Sequence, residues 1–260
     1  MVIFKRDGPR EALLAFLRLI NMNIEGYEYY LRYQVRTKCF RKQGTEPFTV
    51  INVSPNEISE MPCDRIQRWR GLGEVRSGSW DQSTKPISDS IKYRCVFNHF
   101  NHNIPWEKTD IYNFTVNKVR NGEIFWNGCR SIEDVQNRVE DINELHKSIK
   151  QHGYKSQKKL HGESIRSLTL DRSFDRTKEE VAVAISRDGS FLFVDGNHRL
   201  AIANSVGVEK MPVHVVLRHS EWEAIRSEIK NASNEDELSD KAIQYLDHPD
   251  ISSLIPNNWK

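Results

Sequence analysis

A short polar turn, Asp195-Gly196-Asn197-His198-Arg199, follows a β-prone run and precedes a helical pattern. A helix start offers unpaired backbone N–H groups and the positive end of the helix dipole. A preceding glycine lets a ligand approach the backbone, and an arginine in the first turn adds a planar fork suited to phosphate. The turn therefore predicts an anion site. The alternative interpretation is a capped helix start with a solvated Arg199 and a His198 bonded to the backbone.

The elements that position this turn are predicted from periodicity. Residues 131–152 carry apolar residues at helical spacing, between Ser131 as N-cap and Gly153 as C-cap. Residues 179–196 predict a β-hairpin around Asp188-Gly189. The elements after the hairpin are a short helix over 197–207, a strand over 211–218 and a helix over 220–232 with Ser220 as N-cap.

The flanking segments give weaker patterns. Residues 1–45 look helical, and residues 46–55 are rich in β-branched residues, which favours a strand. Residues 69–112 predict irregular structure with anchored aromatics, and a helix is expected over 110–122. The tail after residue 233 is polar, with one short helical piece at 236–246.

Composition limits the classes of function. The 260 residues are 38% hydrophobic and 28% charged, with a net charge of +2, so a strongly basic nucleic-acid binder is not favoured. No apolar run is long enough to cross a bilayer, and the N-terminus reads as an amphipathic helix rather than a signal peptide. The four cysteines are Cys39, Cys63, Cys95 and Cys129, and they form no CxxC pair, so we expect no zinc site built on cysteines. We expect a cytoplasmic protein in which these thiols are reduced.

The order of these elements resembles the ParB/sulfiredoxin superfamily over about residues 140–220. The matching motifs are Ser148-Ile149 with Gly153, Gly196 to Arg199, Val206-Gly207 and Met211-Pro212-Val213. The resemblance implies an α/β (α+β) fold. The expected domains are a ParB/sulfiredoxin-like domain at 131–225, a mainly helical and irregular N-terminal extension at 1–130 that packs on it, and a C-terminal helical tail at 226–260.

The resemblance implies a nucleotide-dependent activity. Asn197 stands where sulfiredoxins have their reactive cysteine, so that redox chemistry is excluded, and no helix-turn-helix pattern follows Arg218. The turn is most similar to that of the ParB-like free-serine kinases. The expected function is an ATP-, ADP- or CTP-dependent phosphotransferase or nucleotide hydrolase, acting on a small polar metabolite. A ParB-like nucleotide-binding or DNA-associated module, a CTPase or a nuclease, is the alternative.

The resemblance also implies roles for single residues. Gly196 and the N–H groups of Asn197 and His198 would hold phosphate, and Arg199 would pair with it. His198 would stabilise the transferring group, and Asp195 would orient a metal or accept a hydroxyl proton, or simply form the turn. The cofactors would be a nucleoside di- or triphosphate and Mg²⁺.

Further candidates extend this predicted site. Nucleotide contacts are expected from Lys155, Ser156 and Gln157 after the long helix, and from Arg218 and His219 on what should be the same rim as the turn. The irregular segment is expected to cap the pocket through Trp80, Asp81, Trp106 and Glu107. His99 and His102 lack the spacing of a metal site, so none is predicted there.

Overall fold

The sheet is mixed, and its longest strand has nine residues. The computed structural model describes residues 46–68, 71–156, 180–255 and 259. Their strands are β1 (Val50–Val53), β2 (Glu60–Pro62), β3 (Glu74–Arg76), β4 (Thr84–Pro86), β5 (Val181–Ile185), β6 (Phe191–Asp195) and β7 (Met211–His219). The order across the sheet is β1-β7-β5-β6-β2-β4, and β3 also pairs with β7. β7 is therefore bordered along one side by β1 at its start and by β3 at its end.

The helices pack mainly on one face of this sheet. They are α1 (Ile91–His102), α2 (Asp110–Arg120), α3 (Ile132–His152), α4 (Asn197–Val206), α5 (Ser220–Asn231) and α6 (Asp240–Ile243). Val181, Val183 and Ile185 of β5 point into the large core beneath them. The alternate residues Ala182 and Ala184 face a smaller cluster on the other side, because successive strand residues point to opposite faces.

The structure confirms the α/β class and most elements around the turn. Asp188-Gly189 closes the hairpin of β5 and β6, and α4 follows it as predicted. Ser131 and Asp134 form a reciprocal capping box at the start of α3, and Gly153 is its C-cap. The N-cap of α5 is His219 and not Ser220, because the His219 side chain accepts the N–H of Glu221.

Residues 69–112 contain more regular structure than the sequence predicts. They contribute β3, β4 and the twelve-residue helix α1. The expected N-terminal helix over 1–45 lies outside the described residues. Within the described part of the chain, no helix is long and apolar enough to cross a membrane.

Candidate functional site

The N-termini of α1 and α4 meet at the predicted turn. The Ser90 hydroxyl donates a hydrogen bond of 2.6 Å to the side-chain carbonyl of Asn197. Ser90 is the N-cap of α1 and Asn197 is the first residue of α4. Ser90 makes no side-chain cap bond within its own helix, because its hydroxyl is directed to α4 instead. Two sets of unpaired backbone N–H groups are thereby brought side by side.

The charges in these two first turns are unusual. Acidic residues normally occupy the first turn because they complement the helix dipole. Among the described α-helices, α1 and α4 have none there, whereas α2, α3, α5 and α6 each carry at least one. Lys92 and Arg199 lie in the first turns of α1 and α4 instead. The two N-termini therefore add their positive potential to that of two cations.

Gly196 allows the sharp entry into α4. Its φ of 104° lies in the left-handed region that side chains rarely adopt. A Cβ at this position would stand 3.0 Å from the Cα of Val181 in the neighbouring strand. The Gly196 N–H donates to Asp195 Oδ1 at 2.8 Å, which orients that carboxylate at the lip of the turn.

Arg68 forms the buried floor of the site. Its guanidinium is 3.7 Å from Asp195 Oδ2, and the exposed fractions of the two side chains are 7% and 57%. Burial lowers the pKa of Arg68 to about 10, and repulsion by Arg199 adds to this, while Asp195 and Glu180 oppose it. The floor therefore combines two arginines, Arg68 and Arg199, with two carboxylates, Asp195 and Glu180.

Tyr154 closes the floor from the end of α3. Burial raises the pKa of its hydroxyl to about 12, and the nearby Arg199 partly offsets that rise. Tyr154 therefore stays protonated and lies against the arginine predicted to bind phosphate. Of the two residues that follow it, Lys155 is exposed and Ser156 is half-buried.

His198 is neutral in this environment. Burial lowers its pKa to about 4, with additional repulsion from Lys92 and Arg138. Its Nε2 lies 3.0 Å from Nε1 of Trp126, and the two rings meet edge to face at 6.0 Å between centroids. The histidine therefore adds hydrogen-bonding capacity and no charge at neutral pH.

The loop of residues 125–129 gathers several of these groups. Phe125 and Cys129 close it with two backbone hydrogen bonds of 3.1 and 2.8 Å. Asn127 accepts from Lys92 Nζ at 3.1 Å through its side chain and from Arg138 Nη2 at 3.3 Å through its carbonyl. The loop thus contacts His198 and both cations that lower the pKa of His198.

Arg218 and His219 lie at the end of the sheet opposite the turn. The prediction that they share a rim with the turn is therefore wrong. Ala182 is in register with both Asp195 and His214, whereas Ile185 is in register with Phe191 and Arg218. The antiparallel β6 therefore carries its carboxyl end away from that of β7. Along β7, the step from His214 to Arg218 is four residues, about 13 Å at about 3.3 Å per residue.

Trp80 and Asp81 belong to the same distant end. The Trp80 ring lies 5.9 Å from that of His219, and Asp81 accepts from Arg187 at 2.7 and 2.9 Å. Burial alone would raise the pKa of Asp81, but the hydrogen bonds from Arg187 lower it to about 2. These contacts stabilise the end of the sheet that carries Arg218 and His219, and Trp80 and Asp81 do not cover the turn.

Trp106 lies nearer the turn than Trp80 does. Its ring centroid is 6.0 Å from that of Trp126, which contacts His198 directly. Its Nε1 donates to Asn143 Oδ1 at 3.0 Å, and the neighbouring Glu107 is exposed. Trp106 therefore packs against the ring of Trp126, and its N–H is directed at α3.

The predicted nucleotide contact Gln157 lies outside the described residues. No group of three or more histidine, cysteine, aspartate or glutamate side chains in the described ranges is arranged to hold a metal ion. No protein-family model matches the chain, and comparisons with curated proteins and with solved structures also give no match.

Sequence reasoning missed several residues of the site. They are Arg68, Ser90, Lys92, Trp126, Arg138, Tyr154 and Glu180. The Asn127-Gly128 pair was a usable turn signal, because this dipeptide favours positive φ. The sequence around Arg68 does not distinguish it from an exposed arginine, because its role depends on pairing with Asp195, which is distant in the chain.

Proposed function

We propose that the protein is a nucleotide-dependent phosphotransferase that binds phosphate groups where α1 and α4 begin. The observation that carries this proposal is the meeting of two helix N-termini that lack acids and instead hold Lys92 and Arg199. The buried Arg68 beneath them adds a third cation. Such a surface suits a ligand with several negative charges, such as the phosphate chain of ATP, ADP or CTP. A ParB/sulfiredoxin-like arrangement of residues 131–225 is part of this proposal.

Phosphoryl transfer depends mainly on positioning and on neutralising charge. In the proposed reaction the backbone N–H groups of Asn197 and His198 bind phosphate oxygens, and Arg199 pairs with them from the same turn. Asp195 is the exposed carboxylate at the lip, so it is placed to accept the proton of a substrate hydroxyl. The substrate would be a small polar metabolite that carries such a hydroxyl. Its oxygen would bond to the terminal phosphorus as the P–O bond to the rest of the nucleotide breaks, and the nucleotide would leave one phosphate shorter.

Asp195 also fits the expected magnesium ion. Mg²⁺ is usually held by one or two carboxylates together with substrate phosphates and waters, and the lip offers one exposed carboxylate beside the anion surface. When bound, the ion would neutralise charge on the transferring phosphate. A carboxylate bound to the ion is a poor base, so Asp195 would serve either as a metal ligand or as the proton acceptor, while its Oδ1 keeps the Gly196 N–H.

Calorimetry with ATP, ADP and CTP, followed by phosphorus NMR with a pool of hydroxyl metabolites, tests this proposal. Arg199→Ala and Arg68→Gln should each weaken nucleotide binding at least about tenfold, since a charge-assisted hydrogen bond contributes about 1.5–3 kcal/mol. The matched control is Arg94→Gln, because Arg94 is an exposed arginine of α1 that pairs with Asp110 at 3.5 Å.

Equal affinity in all three variants, or no nucleotide binding to the folded wild type, would overturn the proposal. Nucleotide binding without transfer to any metabolite would favour the nucleotide-binding module instead. Tight and sequence-selective binding of duplex DNA would favour the DNA-associated alternative, and the salt dependence of that binding would report the phosphates contacted.

A further inference from the structure

The contact between Trp126 and His198 defines where the histidine carries its proton. The indole N–H can only donate, and Trp126 is 1% exposed, so water does not satisfy it. Its Nε1 lies 3.0 Å from Nε2 of His198. A ring nitrogen that accepts a hydrogen bond carries no proton of its own. The neutral imidazole must then carry its single proton on Nδ1.

We propose that Trp126 is a positioning residue that holds the proton of His198 on Nδ1, so that His198 meets its ligand only as a neutral hydrogen-bond donor. The location of the proton follows from the Trp126 contact alone. The identity of that ligand, a phosphate bound at the start of α4, rests on the proposed function. A donor at this position matches the backbone N–H groups beside it, which also present hydrogen to an anion.

The backbone of the loop supports a dedicated role for Trp126. Trp126 and Asn127 have φ values of 43° and 59°, and these two residues are followed by Gly128 at 98°. A bulky side chain in the left-handed region is an outlier that the surrounding structure has to hold in place. The paired backbone of Phe125 and Cys129 provides that restraint and directs the indole at His198.

The surrounding charges act in the same direction. Lys92 reaches the site from α1 and Arg138 from α3, and both disfavour a positive charge on His198. Protonation of Nε2 would also break the bond from Trp126, because two donors would then face each other. His198 is thereby excluded as a general base through Nε2, which leaves the exposed Asp195 as the proton acceptor at the turn.

Long-range ¹H–¹⁵N correlation spectra of the histidine-labelled full chain test the inference. Nε2 of His198 should show the shift of an unprotonated nitrogen and Nδ1 that of a protonated one, and Trp126→Phe should remove this preference. Trp106→Phe is the matched control, because it deletes the N–H of a neighbouring buried tryptophan that donates to Asn143. His198→Gln assigns the signals by their loss.

Several outcomes separate this inference from the proposed function. A wild-type His198 protonated on Nε2, or a proton position unchanged in a folded Trp126→Phe, would overturn it. The wild-type spectrum is decisive even if Trp126→Phe does not fold. Because these spectra need no ligand, a correct Nδ1 tautomer with no nucleotide binding would retain the inference while the proposed function fails. If both hold, Trp126→Phe should weaken nucleotide binding several-fold and Trp106→Phe should not.

Discussion

Ser90 and Asn197 are 107 residues apart in the chain, yet a hydrogen bond of 2.6 Å joins their side chains and aligns the starts of α1 and α4. Ser90→Ala removes this bond and leaves the Asn197 amide to find another donor. We expect a loss of about 1 kcal/mol in the free energy of unfolding. Nucleotide affinity should fall several-fold, because the two helix N-termini are no longer held in register. Urea unfolding and calorimetry measure the two effects.

Ser88→Ala is the control for this change, since Ser88 is exposed and lies just before α1. It should alter neither quantity. A Ser90→Ala protein that loses stability but keeps its full nucleotide affinity would show that the junction supports the fold without shaping the anion surface.

Gly196 should tolerate a side chain less well than Gly207 at the other end of α4. Both have positive φ, but a Cβ at Gly196 would press on Val181, whereas a Cβ at Gly207 meets nothing within 4 Å. Gly207→Ala should therefore cost about 1 kcal/mol of backbone strain. Gly196→Ala adds overpacking against a strand and should cost about 2–4 kcal/mol. Equal costs, measured by urea unfolding, would contradict the tight packing of the turn.

The sequence predicted the elements that local rules control. Strand β7 and the hairpin were visible from their β-branched runs, and the start of α3 from its capping box. Helix α1 was missed because its residues, "IKYRCVFNHFNH", mix aromatics, histidines and asparagines with modest helix propensity. Tertiary packing against α4 and the left-handed Asn103 at its end define this helix, and neither is a strong local signal.

The candidate site was predicted only in part for a related reason. The turn itself is contiguous, so its spacing was readable from Asp195 to Arg199. Arg68 and Trp126 reach it from distant segments, and pairing of that kind leaves no mark in a single sequence. Arg218 was predicted to lie at the site and lies elsewhere. The carboxyl end of β6 is at the turn, whereas the carboxyl end of β7 is at the opposite end of the sheet. This arrangement follows from strand register, which the alternation of apolar and polar residues does not reveal.

Stability should fall between pH 6.5 and pH 4 through His198. Its folded pKa of about 4 lies below the ordinary value of 6.5, mainly because of burial. Over this interval the unfolded chain binds the proton that the folded protein excludes, so the free energy of unfolding decreases as the pH falls. The loss should be on the order of 2–3 kcal/mol at pH 4 and absent above pH 6.5. Urea unfolding across this range measures it.

His198→Gln isolates this contribution, because glutamine does not titrate and its carbonyl can still accept from Trp126. The other groups cancel in the comparison, including the buried His214, whose pKa burial lowers to about 3. The variant should lose less stability than the wild type between pH 6.5 and 4. Parallel curves for the two proteins would mean that His198 is solvated and titrates normally.

Asp250 should be essential for stability and irrelevant to anion binding. Arg218 donates to its carboxylate at 2.9 and 2.5 Å, and Trp222 Nε1 donates at 2.9 Å. Although burial would raise the pKa of Asp250, the hydrogen bonds and charge of Arg218 lower it, so the carboxylate is ionised. Asp250→Asn removes that charge from Arg218, in a pair whose side chains are 1% exposed or less, and from Arg226, which lies 2.8 Å from the same carboxylate. We expect a loss of about 3–5 kcal/mol, because it takes the carboxylate charge out of a buried ion pair.

The same variant distinguishes a structural Arg218 from a phosphate ligand. Without the Asp250 charge, an Arg218 that could reach the ligand would bind it more strongly, and nucleotide affinity would rise. The register places Arg218 beside Ile185 and Phe191, at the end of the sheet opposite Asp195, so affinity of the folded fraction should not change. Calorimetry at a temperature where circular dichroism shows Asp250→Asn to be folded makes the comparison.

Glu223→Gln is the control, since Glu223 forms a more exposed pair with Arg226 at 2.9 Å and its substitution should cost about 1 kcal/mol or less. An altered nucleotide affinity in folded Asp250→Asn alone would return Arg218 to the anion site.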